Sequence, residues 1–583
     1  MLTSIVILTH NKLDYTIQCI ESIRRYTRPN TYEIIVVDNQ STDETVPWLS
    51  AQPDIRAIFN EQNEGFPKGC NQGIEISNGD YILLLNNDVI VTENWLENLM
   101  ACITSDESIG AVSCITNHCS YGQMIPVPYT SVESMHVFAK EHNCSNRNEW
   151  EERLKLVGFC MLIRKSVVEK IGLLDERFTP GNYEDDDYSL RIRKAGYKLI
   201  LCKDTFIHHF GSVSFKENTA FQKLLKRNAG LYESKWGFDP DHSQLIQNDL
   251  VSHINCDAEA NINVLEIGCG SGGTLLAIKN NFKNSALFGV ETNPAEAEVA
   301  SLIANVRVVD MYDRYLDLEL DYPVETFDYI IISDVLAKLY APEAFIRKLK
   351  LYLKPVGKLL VKTRNVLHHL VVEQLVQGSW YYSGIDALKN PYIRFFTLQD
   401  IKTMLSNSGY KEEMVVGLKG RESVEDRLFI EKLSLVGNPQ FLEQTESKYY
   451  IVQAGKDILD DLITEIDANR DNKEHNIHVL QPYSTERIIS AILAKHVAKP
   501  VELLNYLAVT HFEQGFYDKV IPFLESALQL SPDDIEVLYN MTYVLYFLGE
   551  QHVSVTYADK LKRLDEAAFT ELLELFVTPS HSK

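Results

Sequence analysis

Tyr81-Ile82-Leu83-Leu84-Leu85-Asn86-Asn87-Asp88-Val89 is the stretch that decides the fold of the first part of this chain. Its apolar start predicts a buried strand, and Asn86, Asn87 and Asp88 place a carboxylate at the C-terminal tip of that strand. Ligands bind outside the carboxyl ends of strands in open α/β sheets. Mg²⁺ and Mn²⁺ bind through carboxylates together with substrate phosphates, so Asp88 is placed to hold a metal against a diphosphate. A turn that merely closes a strand is the alternative.

Strands and helices alternate before this stretch, which is typical of a parallel sheet covered by helices; they are predicted at residues 4–8, 13–26, 33–37 and 42–50. Thr9 and Asn11 follow the first strand and Asp38 follows the second. The carboxyl ends of parallel strands share one edge. A nucleotide bound there would meet Thr9 and Asn11 near its base or ribose, and Asp38 as an acceptor for ring N–H or hydroxyl donors.

A Gly-rich loop at residues 63–71 leads into a predicted helix and contains Asn63, Gly65 and Lys68. Glycine lets the backbone approach a ligand, and N–H groups at a helix start favour anions. The spacing is not that of a Walker loop. An ordinary loop is the alternative.

Four consecutive acids, Glu184 to Asp187, begin another predicted helix. They repel one another, so at least one is expected to have a raised pKa or a cationic partner. A solvated helix N-terminus is the alternative, since acids favour that position. Further on, His208 and His209 follow a predicted strand, and imidazole is a common ligand of transition metals.

Residues 1 to about 215 resemble a family 2 glycosyltransferase of the GT-A fold; the resemblance lies in residues 8–11, 37–43, 63–66 and 86–88. Asn86-Asn87-Asp88 is similar to the family's DxD motif, with Asn in place of the first Asp. The resemblance implies a nucleotide-diphosphate sugar donor and a divalent cation, Mg²⁺ or Mn²⁺. The implied donor-binding residues are Thr9, Asn11, Asp38, Asn63, Gly65, Lys68, Asn86 and Asn87.

The same resemblance assigns the chemistry. It implies metal ligation by Asp88 and by His209, five residues before Ser214, with His208 as the second choice. It makes Asp185 the general base and gives Glu184 the task of positioning the acceptor. A hydroxyl is a poor nucleophile, so a carboxylate must take its proton as it attacks the anomeric carbon. Direct displacement then inverts that carbon.

Asn263-Val264-Leu265-Glu266-Ile267-Gly268-Cys269-Gly270-Ser271-Gly272-Gly273 predicts a strand that ends in a Gly-rich turn into a helix. Glu291 ends the next predicted strand about 20 residues later, a spacing that suits ribose hydroxyls. The segment resembles class I methyltransferases that use S-adenosylmethionine. The implied cofactor-binding residues are Glu266, Gly268, Gly270, Gly272, Glu291 and Asp310.

Two histidines that relatives often carry are absent from this second segment. Leu336-Ala337-Lys338-Leu339 stands where they have Leu-Glu-His-Leu, and Pro391-Tyr392-Ile393-Arg394 where they have Thr-His-Leu-Arg. If either histidine serves as a base, the domain is slow, altered in substrate, or only a structural partner. Lys338 or Tyr392 could substitute.

The last part of the chain contains a 34-residue period: Leu504, Ala508, Phe512 and Gly515 correspond to Leu538, Thr542, Tyr546 and Gly549. This period is the signature of tetratricopeptide repeats, which usually bind a protein or peptide. An ordinary helical hairpin used for docking is the alternative. Before the repeats, helices are predicted at residues 449–469 and 485–495, with a loop at 467–475.

Composition restricts the partners of the chain. The 583 residues carry a net charge of −25, which disfavours a nucleic-acid backbone or an anionic membrane as main partner. No apolar run approaches 18 residues, so no transmembrane segment is expected, and no signal peptide precedes the first strand. Scattered cysteines suit a reducing compartment, so we expect a cytoplasmic protein.

The sequence thus predicts an α/β multidomain protein: a GT-A domain at 1–245, a Rossmann-like class I methyltransferase domain at 246–435, a helical connector at 436–495 and all-α repeats at 496–583. The expected function is an inverting glycosyltransferase that moves a sugar to a hydroxyl of a glycan or protein acceptor. The methyltransferase domain is expected to modify the same glycan. The alternative is a helical-repeat scaffold in which that domain is degenerate and only binds cofactor or partner.

Overall fold

The computed structural model describes residues 1–211, 219–243, 245–312, 319–380, 392–420, 422–435, 439–494 and 497–577. The chain divides into two compact units, residues 1–456 and 457–583. The first unit contains two large sheets, and the second is helical. No helix within the described ranges is long and apolar enough to cross a membrane.

The first sheet and a short hairpin beside it use the strands β1 (Thr3–Thr9), β2 (Tyr32–Asp38), β3 (Ile55–Phe59), β4 (Tyr81–Asn86), β5 (Val89–Ile90), β6 (Ile109–Ile115), β7 (Trp150–Arg153), β8 (Cys160–Arg164), β9 (Lys198–Phe206) and β10 (His208–His209). The helices of this region are α1 (Leu13–Tyr26), α2 (Thr45–Ser50), α3 (Phe66–Glu75), α4 (Trp95–Thr104), α5 (Val132–His142), α6 (Lys165–Ile171), α7 (Glu184–Lys194), α8 (Thr219–Trp236) and α9 (Pro240–Ser243).

The eight strands follow the order β3-β2-β1-β4-β8-β6-β9-β7, and β10 pairs with β5. The first four are parallel, as the alternating pattern predicted. Thr9 lies opposite Asp38, and Leu8 lies opposite Asn86. The strand tips therefore meet at one edge, with apolar clusters on both faces of the sheet.

One helix of this region is shorter than predicted. The prediction began a helix at Thr42, but α2 begins at Thr45. The Asp43 carboxylate accepts hydrogen bonds from the backbone N–H and the hydroxyl of Thr45. The side chain of Asn11 accepts from the N–H of Thr42. These bonds hold residues 42–44 as a loop over the sheet edge.

The second sheet uses the strands β11 (Asn263–Ile267), β12 (Ala286–Glu291), β13 (Asn305–Val308), β14 (Phe327–Ser333), β15 (Leu353–Arg364), β16 (Tyr410–Lys419) and β17 (Ser447–Lys456). The accompanying helices are α10 (Asn248–Val251), α11 (Gly273–Asn281), α12 (Pro294–Ala300), α13 (Pro342–Leu349), α14 (His369–Val376), α15 (Leu398–Asn407), α16 (Val424–Ser434) and α17 (Pro439–Glu446).

The strand order of this sheet is β13-β12-β11-β14-β15-β17-β16. Strands β11 to β15 are parallel, and β17 runs antiparallel to both of its neighbours. The order reverses between β11 and β14, which is where doubly wound sheets bind their ligands. The Gly-rich turn after β11 lies at this switch point, as the Rossmann-like prediction required.

The prediction of a helix from Tyr449 to Asn469 is wrong over its first half. Residues 449–456 belong to β17, and the helix α18 begins only at Leu459. Tyr450, Val452 and Ala454 are buried and alternate along the strand. The strand fills the space between β15 and β16, so sheet pairing determines the structure of this segment.

The second unit contains the helices α18 (Leu459–Ala468), α19 (Lys473–Leu480), α20 (Thr485–Ala494), α21 (Pro500–Glu513), α22 (Val520–Leu530), α23 (Ile535–Phe547), α24 (Gln551–Leu564) and α25 (Glu566–Val577). The loop predicted at 467–475 is shorter than expected because α18 continues to Ala468 and the Asn472 side chain caps α19 at Lys473. The predicted end of α20 at Lys495 lies outside the described residues.

Two of the four position pairs of the 34-residue period are buried, whereas Phe512 is half-buried and Tyr546, Gly515 and Gly549 are exposed. Leu504 and Ala508 on α21, and Leu538 and Thr542 on α23, are each fully enclosed. Both helices pack against the helix that follows them. The C-terminal unit is therefore helical and has its own apolar core.

Candidate functional site

The edge of the first sheet brings Asp88 and His209 together. Strand β10 pairs antiparallel with β5, and His209 lies opposite Val89, the residue after Asp88. The Asp88 Oδ1 and His209 Nε2 atoms are 3.2 Å apart. Asp88 is buried and His209 is half-buried. A carboxylate oxygen and an imidazole nitrogen therefore face the same point.

The His209 ring is oriented for ligation by its other nitrogen. Nδ1 lies 2.8 Å from the carbonyl oxygen of His118, and since a carbonyl only accepts, Nδ1 carries a proton and Nε2 is the nitrogen that could ligate a metal when the ring is neutral. The ring also stacks on Phe159, with centroids 5.3 Å apart. The Nδ2 of Asn86 lies 3.4 Å from Nε2, so three predicted site residues meet here.

These donors fit a divalent cation held by few protein ligands. Within the described ranges, no three His, Cys, Asp or Glu side chains gather as a metal site. Asp88 and His209 would fill two positions and leave the others for diphosphate oxygens and water, which is how Mg²⁺ and Mn²⁺ sites with phosphate substrates are built.

The second choice, His208, does not face this site. Side chains alternate along a strand, and the His208 Nδ1 lies 2.7 Å from the hydroxyl of Tyr129. Burial and the neighbouring His209 lower the pKa of His208 to about 4. Ser214, whose spacing supported the prediction for His209, lies outside the described residues.

Three donor-side residues hold the strand tips to one another. The Asn87 side chain donates to the hydroxyls of Thr9, at 3.3 Å, and Thr16, at 3.0 Å. Thr9 is 1% exposed. Asn11 accepts from the N–H of Thr42. These predicted binding side chains are thus engaged within the protein and shape the edge of the sheet.

Asp38 keeps an unused acceptor at the same edge. Its Oδ2 accepts from the N–H of Ser41 at 2.9 Å, while its buried Oδ1 has no hydrogen-bond partner in the described part of the chain. A buried polar atom without a partner is costly. The N–H or hydroxyl of a nucleotide would satisfy Asp38, as the sequence predicted.

The Gly-rich loop packs against protein. Asn63 accepts from the N–H of Gly65 at 3.0 Å, and Gly65 has a φ of +80°. A Cβ on Gly65 would lie 2.7 Å from the Thr179 side chain and 3.0 Å from the backbone of Pro180. The glycine is therefore needed to dock the loop on the segment before α7. The Lys68 ammonium lies 2.7 Å from Glu64.

The acids at the start of α7 lie in different environments. Asp185 is partly exposed; its Oδ2 accepts from the N–H of Gly158 and its Oδ1 from the N–H of Asp186, both at 3.0 Å. These two donors fix its carboxylate. Glu184 is 6% exposed and its Oε2 has no partner among the described residues. Burial, and then the charge of Asp185, raise the pKa of Glu184.

The other two acids have cationic partners. Asp186 lies 2.5 Å from the ammonium of Lys155. Burial raises the pKa of Asp186 to about 6, although Lys155 opposes that shift. Asp187 is paired with Arg191 at 2.9 Å and with Lys235 at 2.5 Å. The expected compensation of the acidic run is therefore present, through raised pKa values and through ion pairs.

Lys155 is a site residue that the sequence analysis missed. Its ammonium lies 4.8 Å from the centre of the Tyr121 ring as well as against Asp186. Burial alone would lower the pKa of Lys155, but Asp186 and Asp185 raise it overall. Lys155 lies 31 residues before its partner and no motif surrounds it, so the sequence contained no signal for it.

The turn after β11 has the backbone of a cofactor loop. Gly268, Gly270 and Gly272 have φ values of +74°, +53° and +88°, which favour glycine. A Cβ on Gly268 would lie 2.6 Å from the Val335 side chain. The turn leads into α11 at Gly273, so backbone N–H groups at the helix start face the switch point.

Two acids accompany this turn. The Glu291 Oε2 accepts from the N–H of Gly270 at 2.8 Å, and its Oε1 accepts from those of Thr292 and Asn293. A carboxylate offers about four acceptor positions, so Glu291 retains one for a ribose hydroxyl.

Glu266 is 3% exposed and its Oε2 has no partner among the described residues. Burial raises the pKa of Glu266 to about 8. Asp310 is exposed beyond β13, where its Oδ1 accepts from the N–H of Tyr312. The glycine turn, the spare acceptor of Glu291 and the orphaned oxygen of Glu266 fit a nucleoside cofactor with hydroxyl and ammonium donors.

Comparison with known proteins gives two family matches. Residues 4–172 match the profile of glycosyl transferase family 2, and residues 243–413 match that of a methyltransferase domain. The glycosyltransferase GlyG of Streptococcus pneumoniae is 33% identical over 215 residues, which span 35% of this chain and 68% of GlyG. The glycosyltransferase AglE of Haloferax volcanii is 25% identical over 215 residues, which span 35% of this chain and 66% of AglE.

Among solved structures, the mannosyltransferase PcManGT of Pyrobaculum calidifontis, determined with GDP-Man and Mn²⁺, is 17% identical with a TM-score of 0.29. The match covers 38% of this chain and 60% of that one. The chain thus spans about two thirds or less of these proteins, and a separate segment, residues 243–413, has the methyltransferase match. The chain belongs to glycosyl transferase family 2 and carries a methyltransferase domain in the same polypeptide.

Proposed function

We propose that this protein is a metal-dependent inverting glycosyltransferase that moves a sugar from a nucleotide-diphosphate donor to a hydroxyl of a glycan or protein acceptor. The observation that carries the proposal is the 3.2 Å approach of Asp88 to the His209 Nε2, with Nδ1 held by a carbonyl oxygen. A bound Mg²⁺ or Mn²⁺ would stabilise the charge that develops on the departing diphosphate.

Asp38 supports the donor side of this proposal. Its Oδ1, which has no partner among the described residues, would accept a hydrogen bond from the nucleotide. Asn86 and Asn87 hold the neighbouring strand tips, and the Asn63–Gly65 turn holds the loop beside α7. Lys68, on the exposed side of α3, stands in an ion pair with Glu64 and would have to leave it to reach a phosphate.

Asp185 is the general base of the proposed reaction. Two backbone N–H groups fix its carboxylate, and partial exposure lets an acceptor reach it. Asp185 takes the proton of the acceptor hydroxyl as that oxygen attacks the anomeric carbon. Glu184, whose pKa burial raises, positions the acceptor as a hydrogen-bond donor when protonated.

We further propose that the methyltransferase domain binds S-adenosylmethionine through Glu266, Gly268, Gly270, Gly272, Glu291 and Asp310, and that it modifies the same glycan. The presence of both domains in one chain supports the proposal that they act on the same glycan. Because β17 completes the sheet, we place the end of this domain at Lys456 and assign residues 457–583 to the helical unit.

The helical unit is proposed to be a tetratricopeptide-like stack that recruits a protein partner. Two helical pairs, α21 with α22 and α23 with α24, repeat with the 34-residue period. Asn505 and Asn540 join their first helices through a side-chain hydrogen bond of 2.9 Å. The scaffold alternative would make this binding the main function of the chain.

The test is release of nucleoside diphosphate from a panel of nucleotide sugars by the full chain with Mn²⁺. We expect release with at least one donor, and we expect Asp185→Asn to lower the rate by roughly 100-fold or more, the usual contribution of a general base. Asp54→Asn is the control, since Asp54 lies in a surface ion pair with Arg24. Equal rates for Asp185→Asn and the control would disprove the assignment.

A further inference from the structure

A cluster of charged side chains lies beside the glycine turn of the methyltransferase domain. Val335 packs on Gly268, and the residue before it, Asp334, follows the end of β14 with a φ of +56°. The N–H of Asp334 donates to the carbonyl of Lys362 at 3.1 Å. Asp334 is therefore held at the carboxyl edge of the sheet, one residue from the contact that closes the turn.

The two oxygens of the Asp334 carboxylate differ. Oδ2 lies 3.0 Å from the guanidinium of Arg364. Oδ1 is buried and has no hydrogen-bond partner among the described residues. Arg364 is itself fixed, because it donates to the hydroxyls of Tyr392 at 3.1 Å and Tyr449 at 3.0 Å. The Oδ2 atom is thus held by a fixed cation, and the Oδ1 atom can accept a hydrogen bond or a proton from a ligand.

Lys338 stands on the next turn of the chain, at the position where relatives have a histidine. Its ammonium lies 5.9 Å from the centre of the Tyr312 ring. The backbone N–H groups of Ile393 and Arg394 both donate to the carbonyl of Ala337, at 2.9 and 3.0 Å. Residues 393 and 394 therefore lie against the short helical turn that carries Lys338, so the segments that carry the two departures from the family pattern are in contact.

We propose that Asp334 is the general base of the methyltransferase domain and that its substrate is a hydroxyl group, as on a sugar. This inference rests on the proposed methyltransferase function and adds to it the base and the substrate class. Asp334 would do what the absent histidines were expected to do.

The acceptor hydroxyl and S-adenosylmethionine together account for every bond and charge that changes in the proposed step. The hydroxyl oxygen of the acceptor forms a bond to the methyl carbon of S-adenosylmethionine while the bond from that carbon to sulfur breaks. The cationic sulfonium becomes a neutral thioether, and the hydroxyl proton passes to Asp334 Oδ1 and then to water. Arg364 holds the opposite oxygen throughout.

The charges around Asp334 suit this role better than those around Lys338. Burial raises the pKa of Asp334, while Arg364, Lys362 and Lys338 oppose the shift, so the carboxylate is more basic than a free one. Burial lowers the pKa of Lys338, but Asp334 faces it and opposes that change. An ammonium has no lone pair to accept a proton.

Calorimetry of the full chain tests the position of Asp334 without any acceptor. S-adenosylmethionine is cationic at sulfur and S-adenosylhomocysteine is neutral. A cation beside Asp334 lowers its pKa, so at the pH values where Asp334 titrates the first ligand should release more protons on binding than the second. Protons are counted by repeating each titration in buffers of different ionisation enthalpy.

Variants assign that difference to one carboxylate, since Glu266, Glu291 and Glu296 also face the ligand region. We expect Asp334→Asn to remove at least half of the difference and to leave the affinity for S-adenosylhomocysteine unchanged. Glu343→Gln is the control, because Glu343 pairs with Arg347 on the outer face of α13. An unchanged difference in Asp334→Asn overturns the proposal. Absence of binding by both ligands to the unmodified chain overturns the methyltransferase function itself.

Methyl transfer to methyl glycosides, and to glucosamine as an amine probe, tests the base directly. Any hydroxyl methylation by the unmodified chain should fall by roughly 100-fold or more in Asp334→Asn. Retained transfer in that variant, or methylation of the amine alone, overturns the proposal. If no probe is methylated, the proton release measured by calorimetry is the test of the proposal.

Discussion

At the scale of single residues, the proposed metal site rests on two side chains that lie 121 positions apart in the sequence and 3.2 Å apart in space. Asp88 could be predicted because it ends an apolar strand, and His209 because the family resemblance supplied its spacing. The orientation of the ring could not be predicted, since the His118 carbonyl that sets it lies on a loop without a motif.

Removal of Asp88 should abolish metal-dependent turnover. Asn86 supplies no charge, so Asp88→Ala leaves His209 as the sole remaining member of the pair. We expect Mn²⁺-dependent release of nucleoside diphosphate to fall by about 100-fold or more, and the affinity for Mn²⁺, measured by calorimetry with the donor present, to fall with it. Asp54→Ala is the matched control. Full activity of Asp88→Ala in the presence of a chelator would show that the reaction needs no metal.

Glu266 gives a pH dependence whose sign follows from its environment. Burial raises its pKa in the folded chain to about 8 from an ordinary value of 4.5. The folded state therefore binds more protons than the unfolded state between these values, and the contribution of Glu266 to stability is complete below pH 4.5 and is lost as the pH rises through 8.

Glu266→Gln should remove this contribution. We expect the free energy of unfolding of the variant, minus that of the unmodified chain, to be larger at pH 9 than at pH 5. The increase should be a few kcal/mol at most, because one pKa unit corresponds to about 1.4 kcal/mol. Thermal unfolding at both pH values is the measurement. Glu343→Gln serves as the exposed control. A stability difference that does not change with pH would contradict the raised pKa.

At the scale of elements, strand β17 shows where sequence patterns stop being sufficient. Its residues include Tyr449, Tyr450, Ile451 and Val452, which favour strands, but the prediction joined them to α18 as one helix. The partners that decide the matter, β15 and β16, lie about 90 and 40 residues earlier. Strands that are followed along the chain by a neighbour in the sheet, such as β1 and β2, were predicted correctly.

Truncation after different elements should reveal where the second domain ends. Residues 1–456 keep β17, whereas residues 1–435 lose it and leave β15 and β16 without the strand that joins them. We expect the longer fragment to be soluble and to bind S-adenosylhomocysteine, and the shorter one to aggregate or to lose that binding, because unpaired strand edges associate. Equal binding by both fragments would show that β17 is dispensable.

At the scale of the molecule, the two sheets of the first unit share an interface. The N–H and carbonyl of Glu152 on β7 pair with the side chain of Asn280 on α11, at 3.1 and 3.0 Å. Lys194 on α7 lies 2.5 Å from Glu298 on α12. An apolar cluster also crosses the interface through Leu190 and Val299. The helix that begins at the glycine turn therefore contacts β7, the strand that Arg193 of α7 also contacts.

Binding of S-adenosylhomocysteine should consequently stabilise parts of the glycosyltransferase domain as well. A ligand that binds only the folded state stabilises it by about 2.7 kcal/mol at 100 times its Kd, and elements that open together share that stabilisation. We expect slower amide hydrogen exchange in β7 and at the start of α7, as well as in residues 246–456, when the ligand is added. Asn280→Ala should remove the protection of β7 while ligand affinity is retained. Asn284→Ala, which alters a contact inside the methyltransferase domain alone, should not. Protection confined to residues 246–456 in the unmodified chain would mean that the two domains open independently, and that their union in one chain serves proximity rather than coupling.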